Sequence, residues 1–251
     1  MLYGLSNRLS LDLTVPFAIG SAVVPAGPTE LHEFQASGLG DVALQAEYWL
    51  SDPAIPSRFA GSVSLGFLAP TGRDDVPDRA GPTPDGRPLD ESAQLGTGGW
   101  AILVRAQGTA QVAGPFFAYA SGYYGLSVEE HTDVANFDAL RSVPDTYSGR
   151  LGAAYLVPGV DGLVASAGGR INGVTVKDLI GGKDLYWRRP GYEIYVEPGL
   201  TWTHGANTAT VSVPVRVAAN KLDSPLDVSL GRTIGASFAP YLVLASYARR
   251  F

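Results

Sequence analysis

The segment YEIYVEPGLTWTHGANTATVSVPVRVAA, residues 192–219, carries two opposed chemistries on alternate positions. Tyr192, Ile194, Val196, Pro198, Leu200 and Trp202 share one parity, and Glu193, Tyr195, Glu197, Gly199, Thr201 and Thr203 share the other. A period of two marks β-strand, because successive side chains leave opposite faces. After a turn at 204–207, Ala209, Val211, Val213, Val215, Val217 and Ala219 alternate with Thr210, Ser212, Pro214, Arg216 and Ala218. A soluble sheet can also alternate, so the position of the aromatics decides. Trp202 beside the turn and Tyr192 at the far end bracket only aliphatic residues and a proline on the apolar face. That is the girdle pattern of a strand crossing a bilayer.

Composition supports the same class. Of the 251 residues 45% are hydrophobic, yet mean hydropathy is +0.08 and no apolar run reaches the ~20 residues of a membrane helix. The 31 glycines and 18 prolines, with no long helix-period segment, favour many strands joined by turns. Without cysteine there is neither a disulfide framework nor a thiolate metal site. A net charge of −6, with no basic patch interleaved with aromatics, argues against a nucleic-acid partner. No basic and apolar leader follows Met1, so either a signal segment has been removed or the N-terminus is incomplete.

Outward from the decisive hairpin, the same alternation recurs at 9–17, 42–50, 59–69, 100–106, 116–126, 147–157, 163–171 and 239–251. The connections between these stretches alternate short and long, as they do when one rim of a barrel carries tight turns and the other carries external loops. The long ones are 19–37, 70–97, 127–144, 177–190 and 220–229. The longest, 70–97, holds six acids, which call for water. In 116–126 both parities carry aromatics, so its facing is ambiguous. The aromatics sort into two levels: Tyr48, Phe59, Tyr155, Trp202, Tyr247 and Phe251 near the short turns, and Phe67, Trp100, Tyr147, Tyr192 and Tyr241 near the long loops. At a rise of ~3.3 Å per residue and a tilt near 40°, these levels lie roughly one 25 Å apolar band apart. Ten strands plus the stub at 1–5, with an even total required, predict an all-β, transmembrane, antiparallel up-and-down β-barrel of about 12 strands with its first strand missing or truncated. Pro16, Pro198 and Pro214 oppose a closed sheet unless bulges accommodate them.

The polar parity then lines the lumen, with Asp12, Asp41, Glu47, Arg58, Arg105, Arg150, Arg170, Glu193, Glu197 and Arg216 forming a charged network. If Thr203 pairs with Thr208, Arg216 stands opposite Tyr195, within reach of Glu193 and Glu197. If Val157 pairs with Leu163, Arg150 and Arg170 oppose each other and need a carboxylate of the next strand, or a bound anion. Such a network either stiffens the barrel or contacts a solute. Catalysis has little support: His32 and His131 lie in long connections and His204 in a short turn, away from a triad arrangement. His131 with Glu129, Glu130 and Asp133 reads as a solvated acidic loop rather than a metal site. No glycine-rich motif opens a helix, so no phosphate cradle and no cofactor are expected.

At 3–11 (YGLSNRLSL), 38–42 (GLGDV) and 67–75 (FLAPTGRDD) the chain resembles outer-membrane barrels of the phenol-degradation MetA-pathway family. The resemblance implies a Gram-negative outer-membrane location and uptake of small hydrophobic or aromatic compounds. Phe251 is similar to the C-terminal aromatic signal read by the barrel-assembly machinery, although Arg249 departs from the apolar residue usual two places before it. The implied partners are the lipid bilayer, that machinery and a small hydrophobic solute. The alternatives are a small general porin or ion channel, and a barrel enzyme acting on lipid or peptide.

Overall fold

The computed structural model describes residues 1–25, 31–55, 57–77, 94–136, 139–180, 185–233 and 239–249. Their alternating segments form the wall of a transmembrane antiparallel up-and-down β-barrel. In wall order it consists of β1 (Leu2–Gly4), β2 (Leu9–Thr14), β5 (Val42–Trp49), β6 (Phe59–Ala69), β7 (Ala101–Ala113), β8 (Phe116–Ser127), β11 (Thr146–Leu156), β12 (Leu163–Val174), β13 (Gly191–His204), β14 (Asn207–Ser212) with β15 (Val215–Lys221), and β16 (Leu244–Arg249). This is one sheet of twelve strands. Because β14 and β15 both pair with β13 as two halves of one pass, the twelve strands make eleven passes. Among the described residues no ladder joins β1 to β16.

The burial pattern is that of a soluble protein turned inside out. Leu65, Leu151, Leu200 and Val217 are more than half exposed, whereas Ser62, Glu197 and Ser212 on the opposite parity are buried. An exposed apolar face over a polar interior is stable where hydrocarbon, not water, bathes the outside. In β8 the ambiguity resolves through pairing: Tyr124 lies opposite Val104 and Tyr147 on the outer face, which leaves Phe117, Tyr119 and Tyr123 inside.

Three of the long connections contain secondary structure of their own. Within 19–37, residues 19–25 belong to β3 (Phe17–Pro25) and 31–37 to β4 (Leu31–Leu39), a paired ladder that prolongs β2 and β5 past the rim. Its register is offset by one residue from the β2–β5 ladder, and Pro16 sits at the offset, its carbonyl accepting from Gly40 N–H at 2.9 Å. Residues 127–144 contain the hairpin β9 (His131–Asn136) and β10 (Ala139–Ser142). Residues 220–229 contain α1 (Pro225–Leu230), started by Ser224 and Asp227 in a reciprocal capping box and ended by Gly231 in the left-handed conformation.

The other two prolines are accommodated together. β13 pairs with β15 up to Val196 and with β14 from Gly199, so Pro198 faces the interruption at Val213 and Pro214. There Val213 N–H donates to the Pro198 carbonyl and Leu242 N–H to the Pro214 carbonyl, both at 2.9 Å. The missing proline donors thus fall where the ladder is already broken. Two-residue turns at 114–115 and 205–206 each begin with a glycine at positive φ, +49° and +59°. The primed hairpin turns that suit strand twist require that conformation.

The facing assignment is testable at one depth. Val63 is 44% exposed and lies opposite Ala106, one residue from the inward Gln107. Val63→Arg should lower unfolding stability in liposomes by roughly 2 to 4 kcal/mol, and Gln107→Arg, which points into the lumen, should cost much less. Equal losses in urea titrations would overturn the assignment.

Candidate functional site

A continuous ladder fixes which inward side chains share a level. One level runs Trp49, Ser62, Gln107, Ser121, Arg150, Arg170, Tyr195 and Arg216, each opposite the next on neighbouring strands. The level above, toward the long loops, contains Glu47, Ser64, Arg105, Tyr123, Ser148, Asn172 and Glu193. The level below contains Ala60, Thr109, Tyr119, Gly152, Gly168 and Glu197.

Arg150 and Arg170 stand directly opposite each other, and the carboxylate of the next strand, Glu197, receives both. Arg170 donates through Nε at 2.7 Å and Nη2 at 3.0 Å, Arg150 through Nε at 3.1 Å and Nη2 at 2.8 Å, and Ser212 Oγ adds a bond at 2.9 Å. Glu197 is 2% exposed, so five donors replace its hydration. Two glycines shape the neighbourhood. Gly152 and Gly168 are paired, and the Tyr119 ring lies over them: a Cβ at Gly152 would come within 2.5 Å of the Tyr119 hydroxyl. In that position the ring carries the Arg150 guanidinium on its face, 5.6 Å from the centroid.

This arrangement corrects the expected pairing of Arg216. The register places Arg216 opposite Tyr195, but both oxygens of Glu197 are engaged with Arg150, Arg170 and Ser212. Of its two expected partners Arg216 acts electrostatically on Glu193, while a register shift between Ile194 and Tyr195 displaces the upper part of β15 beyond it. Glu193 Oε2 is buried without a hydrogen-bond donor.

The remaining charged candidates are dispersed. Glu47 Oε1 accepts from Ser62 Oγ at 2.6 Å and Gln107 Nε2 at 2.9 Å. Asp12 lies 3.5 Å from the Met1 ammonium. Asp41 belongs to the loop rim: its carboxylate accepts from Gly72 N–H and from the N–H and hydroxyl of Thr97, pinning both ends of 70–97 to the wall. Arg58 is exposed in a short turn. Arg105 is half-buried and, among the described residues, has no carboxylate partner; with Arg150 and Arg170 it lines a cavity of about 470 Å³. A second cavity of about 300 Å³, lined by Trp49, Tyr119, Ala60 and Thr109, shares Gln107, Ser121 and Arg150 with the first. Tyr119, Tyr123 and Gln107 were not among the expected site residues; extending the Arg150 register by one strand reaches Ser121 with Tyr119 and Tyr123 one level to either side, and a second strand reaches Gln107.

On the outer face, Tyr48, Phe59, Phe67, Trp100, Trp202, Tyr241 and Tyr247 are exposed, and Tyr147, Tyr155 and Tyr192 half-exposed. Phe67 and Trp100 touch at 5.9 Å between centroids near the loops, Phe116 and Tyr155 at 4.8 Å near the turns. Phe251 lies outside the described residues.

At the loop rim the charges are not all solvated. Asp145 is fully buried and accepts from Ser127 N–H, Tyr124 Oη and Leu179 N–H at 2.7 to 2.9 Å. Its own N–H donates to Asp178, which holds Arg188 in a two-pronged pair at 2.8 and 2.9 Å, each side chain 2% exposed. Arg141 reaches Asp74 at 2.7 Å, so that acid of the long loop is paired rather than hydrated; Asp78, Asp85, Asp90 and Glu91 lie outside the described residues. Trp187, 0% exposed, exchanges backbone hydrogen bonds with Leu140 and Ser142 and joins 185–190 to β10. The His131 ring lies tilted against Tyr186, 4.4 Å between centroids, and His204 stacks on Trp202 at 5.6 Å.

Glu197→Ala would leave two arginines facing each other. Breaking a buried pair typically costs 3 to 5 kcal/mol, discounted here because Arg150 is 36% exposed. Arg216→Ala should cost less, since it leaves Glu197 with its partners; equal losses in urea unfolding would refute the assignment. At the rim, Arg188→Ala strands Asp178, so limited proteolysis should cut 175–190 faster while the wall stays intact. Unchanged cleavage would show that the pair does not hold the loop.

No family model matches the chain, and no curated protein matches it. Among solved structures, an outer membrane channel from Pseudomonas putida F1 is similar, with a TM-score of 0.58 at 17% identity, over 88% of this chain and 74% of that one. The likeness is one of fold: the strand wall described above is the kind of wall from which that channel is built.

Proposed function

We propose that this barrel resides in a bacterial outer membrane and passes small, largely apolar solutes, aromatic ones among them, rather than acting as an open general porin or an enzyme. The observation that carries the reading is the size of the interior spaces. Arginines, tyrosines and a tryptophan project into the lumen and leave chambers of about 300 and 470 Å³, the scale of single small ligands. About twelve strands fall between the eight whose bore side chains fill and the sixteen that leave a water channel. The exposed apolar belt with aromatics at both levels suits a bilayer. The similar solved structure is itself an outer membrane channel, and the motifs at 3–11, 38–42 and 67–75 resemble a family linked to phenol degradation. The His204 ring is stacked on Trp202 and the His131 ring lies tilted against Tyr186.

Reconstituted in planar bilayers, the protein should show small conductance, and cells carrying it should take up a labelled phenol faster than cells lacking it. Large stable conductance with unchanged phenol uptake would favour a porin. Lipid hydrolysis lost on His131→Ala would move the assignment to an enzyme.

A further inference from the structure

We infer that the lumen holds a binding site for small aromatic carboxylates, with Arg105 and Arg150 taking the carboxylate and Trp49 and Tyr119 flanking the ring. The inference deepens the proposed transport function by naming a solute class, and its place on a transport path rests on that function. Three observations carry it. First, positive charge is in excess: Arg105, Arg150 and Arg170 line one cavity, and Glu197 is the carboxylate that binds two of them. Arg105 itself has neither an ion pair nor a hydrogen bond among the described residues. A half-buried guanidinium beside two others, with no carboxylate of its own among the described residues, favours a bound anion over water alone.

Second, the donors suit a carboxylate. The Arg105 guanidinium can bind it two-pronged, Arg150 keeps Nη1 for it beyond the Nε and Nη2 that Glu197 takes, and Ser121 and Tyr123 line the same cavity. The nearest acid on the Arg105 level, Glu47, is turned to Ser62 and Gln107. Third, the cationic chamber opens onto an aromatic one. The two cavities share Arg150, Gln107 and Ser121, and Trp49 and Tyr119 line the second. A one-ring acid with its carboxylate in the first chamber places its ring in the second, where aromatic faces replace water. A neutral phenol would use only the aromatic half, and acetate only the cationic half.

Equilibrium dialysis of the full chain in detergent micelles against labelled benzoate, benzyl alcohol and acetate at neutral pH tests this. Benzoate should bind saturably and more tightly than either other probe. Arg105→Gln should weaken benzoate roughly tenfold, Arg105→Lys should keep most of the affinity, and Trp49→Leu should erase the preference for benzoate over acetate. Removing Arg105 breaks no ion pair, and the heat-dependent gel shift of the folded barrel checks that each variant has folded. Non-saturable benzoate, or affinity indifferent to Arg105→Gln in folded protein, would overturn the site. Flux into proteoliposomes separates the two readings. Arg105-dependent benzoate binding without passage of any probe leaves the site standing and removes the transport function. Passage of all probes unaltered by Arg105→Gln removes the site and leaves transport standing.

Discussion

Hydrocarbon offers backbone N–H and C=O groups no partner, so a wall facing lipid must pair them strand to strand. Most features of this chain follow from that requirement. It demands long unbroken ladders, met by strands of 11 to 14 residues from β6 through β13 where the wall is regular. It confines prolines to places where the ladder is already interrupted, and Pro198 and Pro214 fall on facing sides of one such place. An unbroken ladder also makes parity strict, so each inward side chain acquires a defined level and defined neighbours. The functional chemistry is therefore a consequence of register.

Register creates an electrostatic problem at Arg150 and Arg170. The turn that bonds Val157 to Leu163 puts these two cations opposite each other, and like charges at that spacing repel. Glu197 resolves it from one level below because Gly152 and Gly168, also paired, leave the space between free of side chains. The same absence lets Tyr119 lie against the wall. One carboxylate between two guanidiniums still leaves the β7–β12 side of the lumen positive, whereas β2 and β5 contribute Asp12 and Glu47. The lumen thus has a transverse field, and its basic side adjoins its aromatic side.

Much of this was legible in the sequence. The period of two identified the wall, and simple turn geometry placed Thr203 against Thr208 and Arg150 against Arg170, as the ladders have them. What failed depended on one-residue displacements and on distant pairs. Arg216 keeps the register of a regular ladder, but Arg150, Arg170 and Ser212 already occupy both oxygens of Glu197; the bulge at Val217, the extra residue between the pairs Ile194–Ala218 and Tyr195–Arg216, instead brings Ala219 opposite the inward Glu193, where strict alternation puts it outside. The β3–β4 and β9–β10 hairpins were read as loops because they lie beyond the girdle, where neither face must be wholly apolar and alternation loses its cause. Asp74 finds Arg141 across 67 residues, a pairing no local pattern announces.

The rim follows the same electrostatic logic as the lumen. Asp145 ties the end of β8 to the start of β11 and to the loop after β12, while Asp178 and Arg188 close that same loop on itself. Asp41 and Arg141 hold the loop after β6 at three points: Gly72, Asp74 and Thr97. Buried ion pairs contribute little net stability, because desolvation offsets their attraction, but separating one is expensive. Their effect is to hold the loops in one arrangement. For these anchor points to leave the rim, buried pairs would have to part, so Gly72, Asp74, Thr97, Asp178 and Arg188 are fixed to the ends of the strands they adjoin.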